Sequence, residues 1–236
     1  MALKTGKEYI ASIESLGLQA NIMGETEDKL TAHPLVAPSL QAVAATYDCA
    51  HADDSRALFR AHSPLVRDEV NRFTHLHESA QDLMDKVRMQ RHCGNITACC
   101  FQRCVGMDAL NALSITTHDA EVNSGTDYHR RFLKYLEYVQ QNDLTCDGAM
   151  TDPKGDRSQP QHAQADPDLY LRAIERKPEG IVVRGAKIHQ TGAVNSHEIL
   201  VMPTQTMGEA DRDYAVCFAM PADAPGLLYI YGRQAS

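Results

Sequence analysis

The spacing of apolar residues changes near residue 146, and this change limits the folds open to the chain. Before that point apolar residues recur every three or four positions, which is typical of amphipathic helices. The clearest such set is Tyr128, Phe132, Tyr135, Leu136 and Val139. After it, short runs rich in β-branched and aromatic residues alternate with prolines, which is typical of strands. We therefore predict an α+β chain with a helical domain over residues 1–145 and a β domain over residues 146–236.

Local signals place the other predicted helices of the first half. Residues 5–8 have the form of a capping box, and Gly17 ends the helix that they start. A second helix is predicted over residues 39–50, and a third from Ser63 to a break at Gly94. The apolar stripe of this third helix consists of Phe73, Leu76, Ala80, Leu83 and Val87.

The second half is predicted to be mostly strand. The strands cover residues 181–184, 198–202, 214–219 and 227–231. Residues 168–177 are predicted as a short helix, and residues 152–155 favour a type I turn, with Asp first, Pro second and Gly fourth. The last strand ends about five residues before the end of the sequence. Since little chain remains to cover its edge, we expect the chain to be a shortened one.

Composition restricts the partners and the compartment. The 23 basic and 31 acidic residues give a net charge of −8, which argues against a nucleic-acid partner. We find no apolar run long enough to span a bilayer and expect no membrane partner. The seven cysteines are unevenly spread, which is a poor disulfide framework and indicates a cytoplasmic protein.

Four of the seven cysteines lie within twelve residues, from Cys93 to Cys104. The pattern predicts one helix from Cys99 through Leu113, so that Cys100 and Cys104 lie on one face, a single turn apart. Two such thiolates can bind one soft metal centre, as in iron–sulfur clusters. The alternative is ordinary core packing, because Cys is also a small apolar residue. No closely spaced second pair, as in a zinc ribbon, accompanies them.

Two further segments carry polar groups suited to ligand binding. Residues 151–157 offer hydroxyl, ammonium, guanidinium and backbone donors that could hold a pyrophosphate or the polar edge of a flavin. In the second segment Gln190 and Thr191 end a strand, and His189 and His197 are possible acid–base groups near neutral pH. The alternatives are an exposed connecting turn for the first segment and solvated side chains for the second.

Together these segments resemble a known family. Residues 100–109, 147–157, 180–192 and 229–234 are similar to the 4-hydroxybutyryl-CoA dehydratases, a group among the flavin-dependent 4-hydroxyphenylacetate 3-hydroxylase-like proteins. The pair Cys100 and Cys104 separates this group from the hydroxylases, which lack it. The resemblance implies an acyl-CoA-dehydrogenase-like fold with a β-barrel-like middle domain, whose C-terminal helical bundle is absent here. It also implies FAD, a [4Fe–4S] cluster and a homotetramer.

The resemblance assigns roles to matching residues. Cys100 and Cys104 are implied to be two cluster ligands, Gln102 to line the substrate site, and Thr191 to act with it in catalysis. The residues implied to bind FAD are Met150, Thr151, Asp152, Pro153, Lys154, Gly155, Asp156, Arg157, His189, Gln190 and Thr191.

The implied reaction is the dehydration of 4-hydroxybutyryl-CoA to crotonyl-CoA, together with vinylacetyl-CoA isomerisation. In this group a His and a Cys from the C-terminal part complete the cluster, so we expect this chain to need a C-terminal half or a complementary subunit. Its expected partners are then an acyl-CoA substrate, that missing half and further copies of itself. The alternatives are a non-catalytic flavin- or acyl-CoA-binding module and a flavin-dependent aromatic hydroxylase relative.

Overall fold

The computed structural model describes residues 3–98 and 100–232. Cys99, at the start of the predicted cysteine helix, and residues 233–236, at the end of the predicted β domain, lie outside the described residues. In the described part the helices are α1 (Gly6–Glu14), α2 (Ala37–Asp48), α3 (Arg56–Phe59), α4 (Ala80–Thr97), α5 (Cys104–Ser124) and α6 (Tyr128–Gln141). The strands are β1 (Ala20–Ile22), β2 (Glu25–Glu27), β3 (Arg60–Ser63), β4 (Asp68–Asn71), β5 (Cys146–Ala149), β6 (Arg172–Lys177), β7 (Gly180–Arg184), β8 (Glu198–Val201), β9 (Phe218–Pro221) and β10 (Tyr229–Tyr231). The predicted mixture of helix and strand is confirmed.

Several local predictions are confirmed. Helix α1 begins with a capping box in which the Thr5 side chain and Glu8 satisfy each other's backbone N–H groups. Gly17 follows the helix with φ +62°, a conformation that favours glycine. Helix α2 covers the predicted segment, and α6 buries Phe132, Leu136 and Val139 on one face.

The predicted third helix is wrong over its first part. Residues 60–71 form the antiparallel hairpin β3–β4, and α4 begins only at Ala80, where the Ser79 side chain caps it. Gly94 does not break the helix, which continues to Thr97. Leu83 and Val87 are 51% and 54% exposed, so the predicted stripe faces outward at these positions.

The strand predictions hold for β7, β8 and the last strand but differ between residues 168 and 177 and between residues 214 and 219. Residues 172–177, predicted as part of a helix, form β6, which pairs with β7 across a tight turn. The predicted strand 214–219 is strand only from Phe218 onward, because the backbone bends back on itself at Tyr214 and Val216. The last strand is confirmed at Tyr229–Tyr231.

The strands of the described residues form four separate sheets, so the predicted barrel-like closure is wrong. The sheets have the orders β10-β1-β2, β3-β4, β5-β8-β9 and β6-β7. Strands β5 and β8 run parallel, with Cys146 beside Glu198. Strands β1 and β10 also run parallel, with Ala20 beside Tyr229, although more than two hundred residues separate them. The short strands pair locally or across the chain without closing a ring.

Close packing joins the two predicted domains. One buried cluster contains Ile22 from the first half and Ile199, Val201 and Tyr229 from the second. Helix α5 lies so near β5 that a Cβ added at Gly106 would be 2.0 Å from the carbonyl oxygen of Cys146. The domain boundary between residues 145 and 146 stays a prediction. Elements on either side of it are in contact, such as α5 with β5 and β1 with β10. None of the helices in the described part is both long and apolar enough to cross a membrane.

Candidate functional site

The segment from Ala98 to Arg103, called here the cysteine loop, separates two helices. Helix α4 ends before Ala98, which has φ +51°, and α5 begins at Cys104. Gln102 has φ +60°, a left-handed conformation that no helix contains. The prediction of one continuous helix carrying both thiols is therefore wrong. Cys100 lies in the loop, and Cys104 is the first residue of α5.

Arg103 anchors the cysteine loop in the core. Its guanidinium lies between two rings, 4.0 Å from the centre of Tyr47 and 4.4 Å from that of Phe73. Its Nη1 donates to the Thr46 hydroxyl at 3.2 Å, and its Nη2 lies 3.9 Å from an Asp143 carboxylate oxygen. Burial raises the pKa of Asp143, and the charge of Arg103 opposes that rise. The sandwiched guanidinium fixes where the loop turns.

The two thiols belong to different elements but lie within electrostatic range of each other. Cys100 is exposed, whereas Cys104 is partly buried against the core. The pKa of the Cys104 thiol is raised by burial and, next, by the nearby Cys100 thiol. Cys49 and Cys93 lie deeper in the same core, and burial raises the pKa of Cys93 to about 12. The core-packing alternative thus describes Cys49 and Cys93, while Cys100 is exposed.

In this region the two thiols are the candidate metal ligands. Within residues 3–98 and 100–232, no group of three or more His, Cys, Asp or Glu side chains is placed to bind one ion. An exposed and a half-buried thiol suit a soft metal centre that two protein ligands hold on one side. The described residues therefore offer two candidate thiol ligands at this place.

Residues 150–157, called here the polar strip, have no regular secondary structure up to Asp156, and Arg157 lies in a turn. The predicted type I turn over residues 152–155 is wrong, because the Asp152 carboxylate is bound elsewhere. It accepts from Lys187 Nζ at 2.6 Å and from the Thr204 hydroxyl at 3.2 Å, instead of capping its own turn. Lys187 Nζ also donates to the Met150 carbonyl at 2.9 Å, and Ile188 N–H donates to the Thr151 carbonyl at 2.9 Å.

Gln164 holds the far end of the polar strip. Its side chain accepts from Asp156 N–H at 2.9 Å and donates to the Asp156 carbonyl at 2.9 Å. A Cβ at Gly155 would be 2.3 Å from Gln164 Oε1, so a larger residue there would displace the Gln164 side chain. The side chains of Thr151, Lys154, Asp156 and Arg157 stay exposed. The strip thus presents exposed hydroxyl, ammonium and guanidinium groups on a backbone that is held in place, which suits a ligand with phosphates.

The predicted strand-end segment joins the polar strip through Lys187 and Ile188. His189 has φ +60° and is exposed, as is Thr191, while Gln190 is half-buried. His197 is not a group that titrates near neutral pH, which corrects that prediction. Burial lowers its pKa to about 3. Its Nδ1 accepts from Thr145 N–H at 3.0 Å, so it is a neutral structural histidine.

Gln102 and the segment around Thr191 come together. Asn195 Nδ2 donates to Gln102 Oε1 at 2.6 Å. A Cβ added at Gly192 would lie 3.5 Å from the Gln102 Cβ and 3.0 Å from Asp147 Oδ1. The cysteine loop, the segment from Thr191 to Asn195 and Asp147 therefore surround one region of the molecule.

The sequence reasoning missed Asp147, Asn195 and Gln164 as site residues. Burial raises the pKa of Asp147 to about 6, and its Oδ2 has no hydrogen-bond partner among the described residues. A signal for Asp147 was present, because a carboxylate interrupts the otherwise apolar β5. Asn195 and Gln164 carry no comparable signal, because short-range patterns do not encode long-range side-chain pairs.

Comparison with known proteins defines the family. The profile of the family described as 4-hydroxyphenylacetate 3-hydroxylase N terminal matches residues 5–236. The chain belongs to this family. Members named 4-hydroxyphenylacetate 3-monooxygenase oxygenase component include one from Geobacillus sp. (strain PA-9), which is 27% identical over 100% of this chain and 49% of its own length.

Dehydratases are more similar than that hydroxylase within the family. The 4-hydroxybutyryl-CoA dehydratase/vinylacetyl-CoA-Δ-isomerase of Clostridium aminobutyricum is 52% identical over 98% of this chain and 47% of its own length. The solved structure of an oxygen-tolerant archaeal 4-hydroxybutyryl-CoA dehydratase from N. maritimus has a TM-score of 0.95 and 48% identity, covering 99% of this chain and 46% of that one. The oxygenase component HpaB complexed with FAD shares the fold, with a TM-score of 0.75 and 24% identity, over 96% of this chain and 46% of that one. The chain spans about half the length of these relatives.

Proposed function

We propose that this chain provides the N-terminal part of a 4-hydroxybutyryl-CoA dehydratase that also isomerises vinylacetyl-CoA. The observation that supports it is the meeting of two segments. Cys100 and Cys104 flank Gln102 in the chain, and Gln102 is hydrogen-bonded to Asn195 in the segment that carries Thr191. The 52% identity to the Clostridium aminobutyricum enzyme agrees with this reaction. In this proposal the fold is part of an acyl-CoA-dehydrogenase-like architecture whose helical bundle lies outside this chain.

FAD is the first proposed cofactor. The polar strip from Met150 to Arg157 would hold it, with His189, Gln190 and Thr191 near its reactive edge. The exposed donors of the strip and its fixed backbone fit such a ligand, and the related HpaB structure is a complex with FAD. When bound, the flavin supplies reversible one-electron chemistry. Lys187 and Gln164 would keep the strip in place while the ligand binds.

A [4Fe–4S] cluster is the second proposed cofactor. Cys100 and Cys104 would be two of its ligands, and the other two would come from a C-terminal half or a complementary subunit. When bound, the cluster supplies a Lewis-acidic iron for the departing hydroxyl group. Arg103, held between Tyr47 and Phe73, keeps the loop that presents both thiols in one position.

The proposed substrate is an acyl-CoA that reaches the region around Gln102 and Thr191. Gln102 is buried in a rigid conformation, and Thr191 presents an exposed hydroxyl. Both groups can form hydrogen bonds with a thioester or hydroxyl oxygen. We further propose that the enzyme is homo-oligomeric. We also propose that it is cytoplasmic, since thiols and an iron–sulfur cluster persist in a reducing compartment.

The test combines this chain with a separately expressed C-terminal half of the dehydratase under anaerobic conditions. We expect crotonyl-CoA from 4-hydroxybutyryl-CoA, and iron, sulfide and flavin in the purified complex. Cys100→Ser and Cys104→Ser should each lower turnover by more than about 100-fold and reduce bound iron, because a cluster ligand is lost. Cys217→Ser, which changes an exposed cysteine elsewhere, is the matched control.

Other outcomes would identify the alternatives. Full iron content and turnover in the Cys100→Ser complex would contradict the proposed ligand set. Flavin binding without any turnover would favour a non-catalytic module. Hydroxylation of 4-hydroxyphenylacetate in the presence of reduced flavin and oxygen would favour the hydroxylase reaction, which the family profile and the Geobacillus relative share.

A further inference from the structure

Asn195 lies between two side chains that come from distant parts of the sequence. It ends the short 3₁₀ turn Ala193–Asn195 and is completely buried. Its Nδ2 donates to Gln102 Oε1 at 2.6 Å and to Ser39 Oγ at 2.8 Å. Its backbone carbonyl accepts from the Tyr9 hydroxyl at 2.6 Å. The Asn195 side chain is therefore fixed from three sides.

The surrounding hydrogen bonds determine which end of the Asn195 amide faces Gln102. Ser39 has one hydroxyl hydrogen, and it donates this to the Val36 carbonyl at 2.8 Å. Ser39 Oγ must then accept from Asn195, which requires the NH2 group at that position. The second hydrogen of the same NH2 group points to Gln102, which must present its carbonyl oxygen.

The opposite orientation is less favourable. The present one leaves Asn195 Oδ1 buried with no partner among the described residues. Rotating the amide by half a turn would place the NH2 group there, leaving two buried N–H donors unpaired. It would also place Asn195 Oδ1 against Ser39 Oγ. Ser39 would then either donate to Asn195 instead of Val36, or two acceptor oxygens would face each other. An unpaired carbonyl oxygen is more common in folded proteins than unpaired N–H groups.

This orientation sets the polarity of Gln102. With its carbonyl oxygen bound to Asn195, Gln102 has its NH2 group left, and that group has no hydrogen-bond partner among the described residues. The left-handed backbone at Gln102 and the close approach of Gly192 restrict other rotations of the side chain. Gln102 is thus arranged as a hydrogen-bond donor.

We propose that Asn195 is a positioning residue that makes Gln102 donate a hydrogen bond to an acceptor oxygen of the bound substrate. The role of Gln102 at the substrate rests on the proposed function. An oriented N–H group stabilises negative charge that develops on a thioester oxygen or on a departing hydroxyl. Ser39 and Val36 extend the arrangement into helix α2.

The first experiment tests the polarity without requiring activity. Side-chain amide signals of this isotopically labelled chain are assigned by their loss in Gln102→Glu and Asn195→Asp. We expect the Asn195 NH2 group to exchange with solvent at least about tenfold more slowly than that of Gln102, because both of its hydrogens are bonded. A more slowly exchanging Gln102 NH2 group, or equal rates, would overturn the inference whatever reaction the protein catalyses.

The second experiment measures turnover in the complex with the C-terminal half. Asn195→Asp replaces the donor by an acceptor, so Gln102 rotates and loses its donor role. We expect kcat to fall about 10- to 100-fold with KM changed less than about threefold. Asn195→Ala, which removes the donor without adding charge, should give a smaller fall in the same direction. Asn123→Asp, on an exposed face of α5, is the charge-matched control.

A double-mutant cycle separates positioning from general damage. Gln102→Ala removes the donor itself without adding charge, so the double variant with Asn195→Ala should be within about threefold of the Gln102→Ala variant. Multiplying losses would overturn the proposal. Loss of dehydration alone would assign the bond to the hydroxyl oxygen, and loss of vinylacetyl-CoA isomerisation as well would assign it to the thioester oxygen. If wild-type complex shows neither reaction, the proposed function fails, while the exchange experiment still tests the polarity.

Discussion

Asp147 is a carboxyl group that the fold keeps away from water. It lies in β5 with 2% of its surface exposed, and Gly192 packs against its carboxylate. Burial is the main cause of the rise in its pKa to about 6 from an ordinary value of 3.8, with a backbone N–H opposing it. The other titratable groups near it are the Tyr229 and Tyr231 hydroxyls of β10 and the adjacent Cys146.

Asp147→Asn should change how stability depends on pH. Because the folded-state pKa is raised, the stabilisation from the bound proton is complete below the ordinary pKa and is lost as the pH rises to about 6. Wild type should therefore lose about 2 kcal/mol relative to Asp147→Asn between pH 4.5 and 8. Urea unfolding of both proteins at the two pH values measures this. Asp119→Asn, at an exposed aspartate, is the control, and parallel pH profiles for wild type and Asp147→Asn would contradict the prediction.

Helices α4 and α5 each contain a glycine, and the two glycines have opposite surroundings. Gly94 lies inside α4 with no atom within 4 Å of an added Cβ. Gly106 lies inside α5 against β5, where an added Cβ would overlap the Cys146 carbonyl. The helix can approach β5 this closely because Gly106 has no side chain, and this approach sets the position of Cys104 at the start of α5.

The two alanine substitutions should have opposite effects on the free energy of unfolding. Gly94→Ala should stabilise the protein by about 0.5–1 kcal/mol, because alanine restricts the unfolded chain and favours the helix. Gly106→Ala should destabilise it by about 1–3 kcal/mol or more, because α5 must move away from β5. Chemical denaturation of both variants provides the measurement. Equal effects of the same sign would show that α5 does not contact β5 in this way.

At the scale of the whole molecule, the parallel pairing of β1 with β10 joins the two ends of the described chain. Tyr229 is buried in the shared core, and its hydroxyl donates to the Ala222 carbonyl at 2.7 Å. Met23 N–H donates to the Tyr231 carbonyl at 3.0 Å. The pairing thereby holds an early and a late part of the described chain together.

Tyr229→Ala should weaken this connection. We expect a loss of about 3 kcal/mol, because a large buried side chain is removed. Hydrogen exchange should accelerate at residues 20–23 more than in the hairpin of β3 and β4. Ile230→Ala on the same strand is the control, since Ile230 is 69% exposed and should change stability by less than about 0.5 kcal/mol. Unchanged exchange at residues 20–23 in Tyr229→Ala would contradict the role given to this pairing.

The sequence by itself determined those features that depend on neighbouring residues. The capping box at Thr5, the end of α1 at Gly17, the amphipathic α6 and the strands β7 and β8 all follow from short-range spacing. The resemblance of residues 100–109 and 147–157 similarly located the candidate site, because these segments are continuous in the chain.

The tertiary structure decided what depends on distant contacts. The cysteine run has helical spacing, yet Arg103 binds between Tyr47 and Phe73 and turns the chain before α5 begins. Asp152 has turn-forming neighbours, yet Lys187 draws its carboxylate away. The polarity of Gln102 depends on Asn195, which lies 93 residues later. Contacts of this range outweigh local preferences, because they bury charge and satisfy hydrogen bonds that no neighbouring residue can supply.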